Sequence, residues 1–329
     1  MTQVKLNASL QSYNSFGIEA VAEEFVEVTS ISELKEATDC NCRLQIMGGG
    51  TNLILLDNIP GRTVRVCIKE KSVLTNSRLR LGAGENWNDI VNWSLELGLG
   101  GLENLAFIPG VVGAAPYQNI GAYGRELADV VDCVEVLDLT ERSLRRLDRD
   151  DCKFEYRDSR FKTGDSGRFV IVAVELDLSS VTVDTSYPGL DQYFSQSGSP
   201  DRKRIAQVVR KIRSEKLPDP SRIGNVGSFF KNPVVERDVF RRLAEEISAP
   251  GFPIGEGMKV PAAYLIDSLG WRERDIKGPV GIWPDHSLVL YNRGGARGED
   301  VLSLSHSVAE SVHNQFGIAL EREPLVWGE

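Results

Sequence analysis

Between Gly98 and Gly124 the chain reads GLGGLENLAFIPGVVGAAPYQNIGAYG, with seven glycines, two prolines and a single charged residue, Glu103. So much glycine disfavours the interior of helices and strands. So little charge is wrong for a loop that runs over a wet surface. The segment must therefore be covered, either by the rest of the chain or by a ligand that bare backbone can approach closely. One reading is a buried structural crossing. The other is a groove around a large flat ligand, in which Pro109-Gly110 and Gly113-Ala114-Ala115-Pro116 lie against a ring system and a pyrophosphate. Gln118 and Asn119 can each give and accept hydrogen bonds there.

A second glycine stretch sits earlier. Leu44–Met47 has the pattern of a strand and runs straight into Gly48-Gly49-Gly50-Thr51-Asn52, after which Leu53–Leu56 is apolar again. Strand, glycine loop, strand differs from the strand, loop and long helix of a dinucleotide fingerprint, and G-x-G-x-x-G is absent. No Lys-Ser/Thr follows, so it is not a P-loop. Alone, the stretch reads equally as a tight turn or as a phosphate cradle with Thr51 and Asn52 as side-chain donors. Two such stretches in one region favour a ligand as large as a dinucleotide.

The chain has 329 residues, enough for two or three cores. Its composition, 41% hydrophobic and 26% charged, is that of an ordinary globular protein. The net charge of −9 makes a general binder of nucleic acid or of anionic membrane unexpected. Met1–Gln11 shows no export signature, and no stretch has the length and apolarity to span a bilayer. A cytoplasmic location is expected. Cys40, Cys42, Cys67, Cys133 and Cys152 fit no zinc spacing and read as free thiols. The three histidines do not suggest a metal site.

Helices are expected at Ser30–Ala37, Asn88–Leu97, Arg202–Lys216, Asp238–Ser248, Pro261–Leu269 and Gly298–Phe316. Further strands are expected at Phe25–Val28, Thr63–Ile68, Arg78–Gly82, Val130–Leu139, Phe169–Leu178 and Ser287–Tyr291. The alternating charges of Glu141–Asp151 read as a solvated turn and hairpin. Residues 187–200, rich in Ser, Gly, Pro and Tyr, read as a loop or linker, and a boundary is expected between about residues 185 and 220.

Three further candidates carry possible chemistry. Tyr156-Arg157-Asp158-Ser159-Arg160-Phe161-Lys162 crowds three cations into seven residues and reads equally as a surface turn. In Gly224-Asn225-Val226-Gly227-Ser228-Phe229-Phe230-Lys231-Asn232-Pro233, the apolar neighbours suggest a buried or half-buried Ser228 hydroxyl. Without a nearby histidine in sequence it suits a proton donor or ligand contact better than a hydrolytic nucleophile. Glu323 heads an apolar tail, where an exposed carboxylate is the commoner outcome.

Together the stretches GGGTNLIL, GLENLAFIPGVVGAAPYQNIGAYG, YRDSRFK, KLPDP, GNVGSFFKNP and LEREPLVWG resemble the UDP-N-acetylenolpyruvoylglucosamine reductase (MurB) family, from about Tyr13 to Gly328. The resemblance implies an α+β chain: a vanillyl-alcohol-oxidase/PCMH-type two-subdomain FAD-binding fold plus a C-terminal α+β substrate-binding domain. It implies FAD-binding subdomains at residues 1–68 and 69–205, the second with a tyrosine-loop insertion near 184–200 as in the family's first type. The substrate domain is then 206–318, and a tail, 319–329, returns to the flavin region. The activity implied is reduction of UDP-N-acetylenolpyruvoylglucosamine to UDP-N-acetylmuramate for peptidoglycan, with non-covalent FAD and with NADPH as hydride donor. No histidine precedes His286, so no covalent histidyl tether is expected, and His286 is given no role beyond a possible substrate contact.

By the same resemblance Gly48, Gly49, Gly50, Thr51, Asn52 and Leu53 contact the flavin cofactor. So do Ile108, Pro109, Gly110, Gly113, Ala114 and Ala115, followed by Gln118, Asn119, Ile120, Gly121, Ala122 and Gly124. Arg157, Ser228 and Glu323 are the implied catalytic residues. A guanidinium and a neutral carboxylic acid hold developing oxyanion charge, and the serine gives a proton to the α-carbon. Tyr187, Arg213, Lys216, Lys231 and Asn232 are expected at the substrate. The expected partners are the UDP-sugar and NADPH, the expected state a monomer. Two other readings stay open: a flavin oxidase of the same fold, and a non-catalytic UDP-sugar sensor.

Overall fold

The computed structural model describes residues 3–194 and 200–328. The Ser195–Ser199 part of the expected tyrosine-loop insertion lies outside the described residues. The chain forms two compact units. The first gathers the N-terminal stretch to Ala8, Ala22–Gly49 and Pro60–Arg213; the second gathers Ser9–Val21, Gly50–Ile59 and the chain from Ser214 onward.

The first unit holds two sheets. One has the order Lys5–Ser9, Val21–Val28, Asn58–Val66, Leu44–Met47, with the last two parallel. The other is antiparallel, in the order Ser143–Asp148, Val131–Asp138, Phe169–Asp177, Arg78–Gly82, Lys71–Val73. Phe169–Asp177 is apolar through Val174, and seven of its nine residues are buried, Glu175 among them. Helix α1 (Ile31–Ala37) starts where the Ser30 hydroxyl accepts the Glu33 N–H at 3.2 Å. Helix α2 (Trp87–Glu96) is capped likewise by Asn86 and buries Trp87, Ile90, Val91 and Leu95. These pack with Leu79, Leu81, Val134 and Val136 in one core. Helix α3 (Arg202–Lys216) closes the unit, burying Ile205, Val208, Val209 and Ile212.

The second unit is built on the antiparallel sheet Asn225–Ser228, His286–Asn292, Val280–Trp283. It also holds helices α4 (Arg237–Ile247), α5 (Ala262–Ser268) and α6 (Gly298–Phe316). Leu53–Leu55 pairs in parallel with Leu325–Trp327, so the C-terminal tail is part of the fold. No helix among the described residues is long and apolar enough to cross a membrane.

Two expectations need correction. Cys40 and Cys42 are joined in a disulfide. The turn between α1 and Leu44–Met47 brings their Cα atoms to 5.4 Å, a proximity that C-x-C spacing alone does not announce. The other three remain thiols; burial raises Cys133 to about 11 and Cys152 to about 12, so neither is a ready nucleophile. The charged run 141–151 does form a turn and hairpin, but it is not simply solvated. Arg145 reaches the fully buried Asp138 carboxylate, and Arg146 reaches Asp132 and the buried Glu175. An edge strand allows this, because its long side chains can lie across onto neighbouring strands.

Candidate functional site

In the first unit the two glycine stretches meet. A Cβ on Gly48 would lie 2.6 Å from the Val111 side chain, and one on Gly49 3.3 Å from Gly110 Cα. A side chain at Gly48 would have to displace that of Val111, and one at Gly49 would press on the Gly110 backbone. Gly110 itself has φ of 124°, a conformation open to glycine. The segment is held from its other side: Trp87 N–H donates to Gly110 O at 3.0 Å, Val112 N–H to Glu85 O and Gly113 N–H to Ala83 O, each at 2.8 Å. Ile108, Gly110, Gly113, Ala114, Gln118, Gly121 and Ala122 are half-buried, Pro109 and Gly124 exposed, and Ala115 and Ile120 buried in the core. A rigid, weakly polar backbone surface left partly open fits the flat ring and pyrophosphate of FAD.

Asn119 behaves differently from a simple ligand contact. It is buried at left-handed φ of 46°; its amide donates to Glu126 (2.7 Å) and Glu155 O (3.0 Å), and its oxygen accepts Ala128 N–H (2.9 Å). Its side chain thus holds the segment to the turn that carries Arg157. Arg157 has φ of 55° and donates to Gly121 O at 2.5 Å and to Asn119 O at 3.3 Å. Lys162 in turn donates to Arg157 O, and Ser159 to Tyr117 O. The crowded cations of the sequence are a turn locked onto the glycine segment.

Arg213 donates to Phe107 O at 3.1 Å. Burial pulls its pKa below the ordinary guanidinium range, with Tyr123 opposing and the Arg157 charge adding to the fall. Two cations thus share one neighbourhood, a setting that favours an anion. Tyr187 is exposed and meets Tyr123 edge-on, ring centres 5.5 Å apart.

In the second unit three distant stretches converge. Phe230 bridges Arg322, Lys231 N–H donates to Glu321 O, and Glu323 N–H donates to Phe229 O, all in one short ladder. Glu323 is level with the residue after Ser228, and both side chains are half-buried. Asn52 donates to Glu323 O at 3.2 Å, and Leu325 N–H donates to Asn52 O at 3.1 Å. Gly50 owes its residue type to the N-terminal turn: a Cβ there would collide with Tyr13 O, and Ser15 N–H donates to Gly50 O. Thr51 is half-buried and Leu53 is buried in the parallel pair with Leu325.

The expected substrate residues divide. Lys231 is paired with Glu321, and Asn232 accepts the Ala262 N–H at the start of α5. Lys216 is exposed at the end of α3. Sequence reasoning missed Glu321, Asn104 and Arg125; only Asn104, a polar residue inside an apolar segment, carried a signal.

Known proteins resemble this chain over nearly its whole length. Residues 219–327 match the UDP-N-acetylenolpyruvoylglucosamine reductase C-terminal domain, and residues 23–145 match an FAD binding domain. The UDP-N-acetylenolpyruvoylglucosamine reductase of Pseudomonas aeruginosa is 40% identical over 99% of both chains. That of Bdellovibrio bacteriovorus is 39% identical over 99% of this chain and all of its own. The crystal structure of UDP-N-acetylenolpyruvylglucosamine reductase (MurB) from Thermus caldophilus superposes with a TM-score of 0.72 at 25% identity, covering 100% of this chain and 99% of that one. Because relatives 39–40% identical match it over nearly the full length of both chains, the chain belongs to the UDP-N-acetylenolpyruvoylglucosamine reductase family.

Proposed function

We infer that this chain reduces UDP-N-acetylenolpyruvoylglucosamine to UDP-N-acetylmuramate, with FAD as cofactor and NADPH as reductant. The short ladder that sets Glu323, itself bonded by Asn52, against Phe229, the residue after Ser228, carries the assignment of residues. Bound FAD would supply the two-electron chemistry that links NADPH to the methylene carbon of the enolpyruvyl group. Gly48, Gly49 and the Ile108–Ala115 backbone would hold that cofactor, with the Asn119 side chain fixing the segment. Arg157 faces the carboxylate of the substrate, where negative charge grows as hydride arrives, and its fixed guanidinium needs no reorganisation to meet it. Glu323 as a neutral acid shares that charge. Ser228 supplies the proton to the α-carbon, so that one hydride and one proton complete the reduction.

Arg213, Tyr187 and Lys216 meet the diphosphate, and Lys231 and Asn232 are further substrate contacts. The chain is further read as a cytoplasmic monomer that takes two anionic small molecules despite its net charge of −9. Its cations answer that charge only where gathered, as at Arg157 and Arg213. The deciding experiment is anaerobic: mix the NADPH-reduced holoenzyme with the enolpyruvyl UDP-sugar and follow the flavin absorbance. Rapid return of the oxidised spectrum is expected. Fast reoxidation by oxygen with slow or absent reoxidation by the sugar would favour an oxidase.

A further inference from the structure

Beyond Phe169–Asp177 the described chain runs through Ser179–Tyr187 without helix or strand. Side chains hold its backbone instead. Arg202 donates to Val181 O at 2.8 Å, Arg125 to Thr182 O at 2.6 Å, and Asn104 to Asp184 O at 3.0 Å. Asn104 also donates to Tyr123 O at 2.8 Å. It is only 2% exposed and sits in the short turn Glu103–Leu105 inside the glycine segment. Its neighbour Glu103, equally buried, accepts the Gly101 N–H and faces Arg202 at 3.7 Å.

One amide therefore holds the backbone at Tyr123 and at a point three residues before Tyr187. Those are the two tyrosines whose rings meet edge-on at 5.5 Å. Tyr123 is held at left-handed φ of 48°, so its ring direction depends on a backbone that would relax if released. Tyr187 is largely exposed, and Gly189 beyond it has φ of 89°. Tyr187 lies outside helix and strand: its carbonyl accepts the Leu190 and Asp191 N–H groups on one side, and on the other the Asn104 amide holds the Asp184 carbonyl.

We propose that Asn104 is a positioning residue for substrate binding, setting the Tyr123–Tyr187 pair through its two backbone hydrogen bonds. This rests on the reading of Tyr187 as a diphosphate contact. Arg125 assists from the Thr182 carbonyl. Asn104 touches neither substrate nor reacting atoms, so its loss should act on substrate affinity and leave flavin reduction by NADPH alone.

The test uses FAD-loaded protein and the variants Asn104→Ala, Arg125→Met, Tyr187→Ala and Asn104→Ala/Tyr187→Ala. Asn104→Ala is expected to raise the KM for the UDP-sugar roughly tenfold, the size of one or two lost hydrogen bonds, with the rate of flavin reduction within about twofold. Deuterium exchange should rise in residues 181–191 and not elsewhere. Adding Asn104→Ala to Tyr187→Ala should change KM by less than about twofold, because the positioned ring is already gone. Arg125→Met, which leaves the buried amide in place, should raise exchange in the same peptide and KM by roughly threefold. An equal KM rise in both backgrounds overturns the proposal, as does unchanged exchange and KM in Asn104→Ala. If Asn104→Ala does not load FAD, an unchanged KM and exchange in Arg125→Met overturns it. If Tyr187→Ala alone leaves KM unchanged, the diphosphate reading falls and the proposal with it; if only Asn104→Ala is silent, the proposal alone falls.

Discussion

Arg157 and Ser228 are held by opposite means. Arg157 lies in a left-handed turn fixed by side chains on carbonyls: its own guanidinium on Asn119 O and Gly121 O, and Lys162 on the Arg157 carbonyl. Ser228 ends a strand, its backbone paired with Val289 and the next residue bonded to Leu288 O. In the first case the functional group is also the fastener. In the second the backbone does the fastening, which leaves the hydroxyl to the proposed proton transfer. Substitution should therefore separate function from structure cleanly at Ser228 and mix them at Arg157.

The largest expected effect comes from Ser228→Ala. Loss of a placed proton donor should slow flavin reoxidation by the UDP-sugar by roughly 10²–10⁴-fold. Reduction by NADPH should be nearly intact, and the melting temperature should hold, because the ladder is untouched. Ser228→Cys should recover part of the loss, since a thiol can also give a proton. Stopped-flow measurement of each half-reaction decides it. Near wild-type reoxidation in Ser228→Ala would make Glu323 the leading candidate for the acid.

Arg157→Lys should lose roughly 10²–10³-fold in reoxidation, as for a removed oxyanion donor, with little rescue from the retained charge. Unlike Ser228→Ala it should also weaken FAD retention, because an ammonium cannot span the Asn119 and Gly121 carbonyls as a planar fork does. Equilibrium flavin release on dilution measures this. A variant with full FAD affinity and only a catalytic defect would show that the fastening role is dispensable.

What was legible in the sequence follows the same division. Arg202–Lys216 and Gly298–Phe316 match their sequence-read bounds because periodicity and a flanking Pro or Gly are local signals. The two glycine stretches were legible as a pair because glycine density is visible without a fold. The disulfide of Cys40 and Cys42 was not, since it depends on the turn that follows α1. Nor was Lys231 with Glu321, 90 residues apart, or Asn104 with the Asp184 carbonyl, 80 apart. Side chains that fasten distant backbone leave no period and no motif. Asn119 was read as a ligand contact for the same reason: its three internal partners exist only in the folded chain.

Tyr187→Ala should have a smaller effect than either catalytic variant. It removes binding rather than a transition-state contact, so the KM for the UDP-sugar should rise roughly tenfold while kcat changes little. Steady-state kinetics with varied UDP-sugar at saturating NADPH measures it. If the main effect is slower flavin reduction by NADPH, the assignment of this loop to the substrate is wrong.

The smallest effect tests whether fastening by side chains brings acid sensitivity to the first unit. Asp138, at the end of Val131–Asp138, has a fully buried carboxylate that accepts from Arg168, from the Thr140 and Glu141 N–H groups and from Arg145. The Arg168 hydrogen bonds, with those backbone N–H groups, hold its pKa well below the ordinary carboxylate range against the opposing effect of burial. A depressed folded pKa gives stability that is fully present above the unfolded value of about 3.9 and is lost as pH falls below it. Asp138→Asn should therefore lower the melting temperature by a few degrees at pH 7, roughly the effect of one or two lost charged hydrogen bonds. The gap to wild type should narrow as pH drops through about 4 and toward 2. Ser228→Ala, which removes no charge, should show no such pH-dependent gap. A gap for Asp138→Asn that is constant from pH 7 to pH 3 would mean that the carboxylate acts through packing and neutral hydrogen bonds, and that charge is not what fastens this turn.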